Sequence, residues 1–115
     1  MHPVPPLADL EWLRGDRLDV VNTAEFTMVF VFDSKGAIQA DMSVDLVGTD
    51  GSTERYNPQT REGSWSFHRI VGARVTDVAR PDDWTIAITF ESNLRLVTRS
   101  SDGGVRKRPC YGARP

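Results

Sequence analysis

The sequence predicts a mainly β domain: an antiparallel sandwich or small barrel of two repeated three-stranded meanders, with one or two short helices. Three observations carry that expectation. After Gly15 the apolar residues recur with a period of two, the spacing of half-buried strands. Turn residues interrupt the alternation at Asp33–Gly36, Gly48–Ser52, Arg80–Asp83 and Ser92–Asn93. Residues 15–34 are matched, across a one-residue gap, by residues 72–92.

The elements follow in chain order. A proline-rich arm leads into a short helix over Leu7–Arg14, with Pro6 suited to its first turn, Gly15 to its end, and Leu10 and Leu13 facing inward. The clearest strand is Phe26–Phe32. Phe26, Met28, Phe30 and Phe32 line one face and Thr27, Val29 and Val31 the other, so both faces are read as covered. Asp33–Gly36 is a hairpin loop in which Gly36 can take positive φ. One continuous strand is then expected, with Ile38, Ala40, Met42, Val44 and Leu46 inward and Gln39, Asp41, Ser43 and Asp45 outward. Residues 52–64 read as a long polar loop with a short edge strand near Glu54–Tyr56. Trp65–Val71 is a short helix or a strand entry; strands follow at Arg74–Ala79, Trp84–Glu91 and Leu94–Arg99.

The repeat is more specific than shared periodicity. Gly15/Gly72, Arg17/Arg74, Val21/Val78, Thr27/Thr85, Phe32/Phe90 and Ser34/Ser92 are identical in six of sixteen aligned positions, and Leu10 and Leu13 match Phe67 and Ile70 upstream. Alternation alone does not require a paired glycine-x-arginine or a shared Phe-acid-Ser exit. A lone three-stranded meander covers only one of its faces, whereas two packed together cover both. The expected organisation is a single domain over residues 1–104, with copies at about 10–48 and 67–100, and a basic flexible tail over 105–115.

These paired features resemble those of small duplicated β-rich domains of GC-rich bacteria, some of which resemble toxin-immunity proteins. The resemblance covers roughly residues 10–100 and implies a non-enzymatic binding role. It carries over no catalytic residue.

Composition narrows the function classes. The 115 residues have a net charge of −2 and 39% hydrophobic residues, the profile of a soluble globular domain. The net charge hides a split: residues 1–60 carry ten acids and four bases, residues 61–115 six acids and ten bases. The longest apolar run, Met28–Phe32, is too short to span a bilayer, and the first residues lack a signal-peptide pattern, so the expectation is a cytoplasmic protein without membrane contact. With His2, His68 and Cys110 as the whole complement of imidazoles and thiols, no metal-ligand spacing is present and no cofactor is expected. Glycine-rich nucleotide cradles are likewise missing.

Two groups of candidate site residues remain. Asp41 and Asp45 point outward in the first copy, and Arg95 and Arg99 point outward in the second, so equivalent strands carry opposite charge. This is cross-strand charge pairing, or edge protection against aggregation, or a polarised surface for a protein partner or for a second copy in a homodimer. Tyr56, Trp65, His68 and Arg69 form the most chemically varied group and would line a pocket in a rival reading, a small-ligand-binding or enzymatic barrel. A third reading, a nucleic-acid accessory protein, relies on Arg106, Lys107, Arg108 and Tyr111 of the tail, and the acidic body disfavours it.

Overall fold

A computed structural model describes residues 3–24, 26–34, 36–63, 66–101 and 105–106. The first helix, Leu7–Leu13, is of the tighter 3-10 type, and so is the second, Phe67–Ile70. In both, the two buried side chains stand three residues apart, Leu10 with Leu13 and Phe67 with Ile70. A three-residue repeat stacks such a pair on one line, so a 3-10 turn buries both against the sheets; Leu7, next on that line in the first helix, is left 39% exposed. Each helix ends at a glycine with positive φ, +81° at Gly15 and +88° at Gly72, a conformation costly for any residue with a Cβ.

The described residues also form ten strands: β1 Leu18–Ala24, β2 Thr27–Phe32, β3 Ala37–Ala40, β4 Ser43–Val47, β5 Thr53–Asn57, β6 Glu62–Gly63, β7 Val75–Asp82, β8 Thr85–Phe90, β9 Arg95–Arg99 and β10 Val105–Arg106. They form two antiparallel sheets, one in the order β1-β2-β3-β10 and the other β6-β5-β4-β9-β8-β7. The architecture is a sandwich, not a closed barrel. Between the sheets lie Phe30, Phe32, Phe67, Phe90, Leu10, Leu13, Ile38, Leu46 and Ile86, all at most 1% exposed and drawn from both parts of the chain.

The meanders β1-β2-β3 and β7-β8-β9 correspond in register through most of their length, and part at the far end of the first hairpin, where β7 has a second register shift between Ala79 and Asp82 that β1 lacks. Leu18 pairs with Phe32 and Val75 with Phe90; a register shift follows in each, and Val21 with Phe30 then matches Val78 with Ile88. The N–H of Asp33 donates to Arg17 O and that of Glu91 to Arg74 O, both at 2.9 Å. The meanders meet where Arg17 lies opposite Arg74 in an isolated antiparallel bridge. There Arg17 Nη1 donates to Gly72 O at 3.0 Å and Arg74 Nη1 to Gly15 O at 2.8 Å, a reciprocal exchange that keeps the two guanidinium groups from facing one another unpaired.

The fourth strands are exchanged. β4, which follows the first meander, pairs with β9 of the second, while β10, which follows the second, pairs with β3 of the first. Leu46 lies opposite Leu96 and Val105 opposite Ile38, so the two crossings use equivalent positions. The 3-10 helices cross over as well: the first packs on β7 and the second on β1.

This exchange corrects the continuous strand expected over residues 38–46. The chain breaks at Asp41–Met42 to change sheets, which leaves Met42 43% exposed instead of inward; Gln39, expected outward, is buried, whereas Asp45 keeps its expected outward face and is covered there by other side chains. Phe26 also leaves its expected face: it stands before β2 at φ +68° and is 49% exposed. The stretch expected as a long loop contains the hairpin β5–β6. The turn expected at Arg80–Asp83 moves on, because β7 continues to Asp82, which pairs with Thr85. Gly36 is required sterically: a Cβ there would meet the Trp12 ring at 2.6 Å, where Trp12 stands edge-on to Phe32. Val105 and Arg106, read as the start of a tail, form β10; residues 107–115 lie outside the described residues.

Candidate interaction surface

The six-stranded sheet turns alternate residues to the core. Leu46, Leu96 and Ile88 lie in register and are buried, as are Val44, Thr98 and Ile86. The intervening positions therefore share the opposite face. On that face Arg55 lies opposite Asp45 and Asp45 opposite Val97; Ser43 is opposite Arg99 and Val47 opposite Arg95.

Asp45 is the centre of this face. Arg55 grips it with both arms, Nε to Oδ1 at 2.7 Å and Nη2 to Oδ2 at 2.9 Å. Arg99 approaches from the other side, Nη1 3.6 Å from Oδ2, and also donates to Ser43 Oγ at 3.1 Å. The two arginines overlie the carboxylate, which is why an outward Asp is only 6% exposed. The Arg55 hydrogen bonds hold the Asp45 carboxyl below its ordinary range against the opposing effect of burial, and the charges of Arg55 and Arg99 add to this. The expected charge pairing across strands is thus present for Asp45 and Arg99.

Asp41 is not part of this row. It sits at the corner between β3 and β4, where its carboxylate accepts from Ser101 N at 2.8 Å and Ser101 Oγ at 2.6 Å. Its backbone carbonyl accepts from Gln59 Nε2 at 3.0 Å. Asp41 thereby fastens the chain leaving β9. Arg95 is exposed and forms no ion pair among the described residues.

Arg55 is the residue of this face that sequence reasoning missed. Its signal was available: Asp45 and Arg55 stand equally far from Asp50, the middle of the Gly48–Ser52 turn, so a hairpin through that turn sets them opposite.

The second candidate group is brought together only in part. Tyr56 is half-buried on β5 against the core, and Arg69 Nη2 donates to Glu54 Oε2 at 3.0 Å, which ties the second 3-10 helix to β5. His68 is exposed on that helix, and Trp65 lies outside the described residues. Of the basic tail only Val105 and Arg106 are described; Lys107, Arg108, Cys110 and Tyr111 are not. Among the described residues no three His, Cys, Asp or Glu side chains converge as metal ligands would. No described helix is long and apolar enough to cross a membrane.

Comparison with family models, with curated proteins and with solved structures finds no match.

Proposed function

We propose that this chain acts by non-covalent binding to another protein through the outer face of its six-stranded sheet. The observation that carries the reading is the row of arginines on that face: Arg55 and Arg99 flank Asp45, and Arg95 stands exposed further along β9 with no ion pair among the described residues. Arg95 is the cation of this row without an ion pair among the described residues, so it is free to meet a carboxylate of a partner, while Asp45 and the nearby Asp82 offset the charge of Arg55 and Arg99. Arginine presents planar donors suited to carboxylates, so the partner surface is acidic. Holding Arg55 and Arg99 in place before contact reduces the ordering cost of association. An immunity-type protein of a bacterial toxin system is the concrete form of this role, in keeping with the sequence resemblance.

The test compares the wild-type chain with Arg95→Glu/Arg99→Glu and with Arg69→Glu as a control on a different element. Each is tagged, cross-linked in its native host and analysed by quantitative mass spectrometry, and any captured protein is then purified and titrated against the three chains. The reading expects one acidic partner that binds the wild type and the control with equal affinity. Reversing two charges is expected to weaken binding by about tenfold or more. A partner indifferent to the double reversal, or lost equally with the control, would sink the assignment of this face.

A further inference from the structure

The two sheets each end in an edge strand, β1 in one and β7 in the other, and these are corresponding strands of the two meanders. They are treated very differently. β7 carries Asp77, Arg80 and Pro81, each a known means of blocking further strand pairing. Arg14 pairs with Asp77 at 2.7 Å. Val4 N donates to Asp83 O at 2.7 Å, and Arg80 Nε donates to Pro5 O at 3.0 Å, which lays the N-terminal arm over the end of this strand. At the matching positions of β1 stand Val20, Thr23 and Ala24, and from Val20 to Ala24 there is no charge and no proline. Even the Arg14–Asp77 ion pair has its counterpart: Val71 and Val20, which are 45% and 39% exposed.

The backbone of β1 is available for pairing. Phe32 N–H donates to Gly36 O, toward β3, so along β2 it is Val31, Val29 and Thr27 that turn their backbone groups to β1. Their partners Val20, Asn22 and Ala24 face β2. The N–H and C=O groups of Val21 and Thr23 therefore point outward, and among the described residues no backbone bond reaches them from that side. At Leu18 the outward groups are already bonded to Gly72 and Ala73, which closes that end of the edge.

We propose that β1 pairs with β1 of a second copy of this chain, joining two four-stranded sheets into one across a two-fold axis. A second copy is the occupant because the strand is self-complementary. With Val21 on the axis, Val20 lies opposite the partner's Asn22, and Asp19 lies opposite the partner's Thr23, so no like charges meet. Val20 and Val71 are then covered in the joined pair. This surface is separate from the arginine-rich face of the other sheet.

Sedimentation velocity on the full chain from low-micromolar to submillimolar concentration gives the test. The wild type is expected to dimerise. Val20→Asp/Thr23→Glu, two changes at exposed side chains, sets an acidic group at position 23 against Asp19 across the axis and a second charge at position 20 in the seam, and is expected to weaken the dimer by about tenfold or more. Arg95→Glu is expected to leave it unchanged. A second measurement needs no variant: amide hydrogen exchange at Val21 and Thr23 slows as concentration rises. A wild type that stays monomeric throughout, a dimer insensitive to the edge variant, or exchange at Val21 and Thr23 that ignores concentration each overturns the proposal.

Discussion

Asp45 shows how much one side chain can depend on its neighbours. Its folded-state carboxyl titrates below the ordinary value of 3.8, because Arg55 and Arg99 favour the charged form. A depressed carboxyl pKa contributes stability that is present above the unfolded value and is lost as pH falls through the folded one. Arg55 is 63% exposed, so solvent screens much of the interaction, and Asp45→Asn is expected to cost about 0.5–1 kcal/mol near neutrality. Thermal melts of the two chains are expected to differ at neutral pH and to converge as pH falls below about 4. A gap that persists unchanged at low pH would mean that packing, not charge, separates them. The same residue marks a limit of reading one strand at a time. Alternation placed Asp45 and Arg99 on an outward face, but the residue that covers Asp45 comes from β5, in a stretch dominated by polar side chains with little apolar periodicity.

At the scale of elements, the two meanders were legible because each is local: a period of two and a tight turn specify them within some 20 residues. The 3-10 helices were legible as helices but not as to type, which depends on how closely the sheets approach Leu10, Leu13, Phe67 and Ile70. The break between β3 and β4 was not legible, since Ile38, Ala40, Met42, Val44 and Leu46 keep perfect phase across the corner. Only the destination of each half, β10 for one and β9 for the other, separates them. Asp41 holds one of these crossings by its two bonds to Ser101. Asp41→Ala removes both and is expected to destabilise the fold by about 1–3 kcal/mol, the range for losing charge-assisted hydrogen bonds. It is expected to speed amide exchange in Ser100, Ser101 and β10 more than in β2 or β8. Uniform acceleration across all strands would place the role of Asp41 elsewhere.

The whole molecule is interlocked by its exchanged strands and helices. Neither meander keeps its own fourth strand, and each 3-10 helix packs on the opposite meander. Cutting the chain in the turn at Pro58–Arg61 therefore separates covalently two parts that remain bound through β4–β9, β3–β10 and the shared core. With a protease site placed in that turn of the full chain, the cleaved protein is expected to elute at its uncut size under native conditions and to run as two pieces only once denatured. Release of either piece without denaturant would show that the exchange is weaker than the pairing suggests.

The exchange also governs the order in which the protein can be made. Chains emerging from a ribosome commonly fold from the N-terminal side, one unit at a time. Here Ile38 meets its neighbour Val105 only after about 65 further residues have been synthesised, and Val44 waits for Thr98. Contacts so distant in sequence slow folding, because the intervening chain must be closed before they form. During synthesis the first meander thus presents a second open edge along β3, and a growing chain has to pass through that exposed stage before β10 closes it.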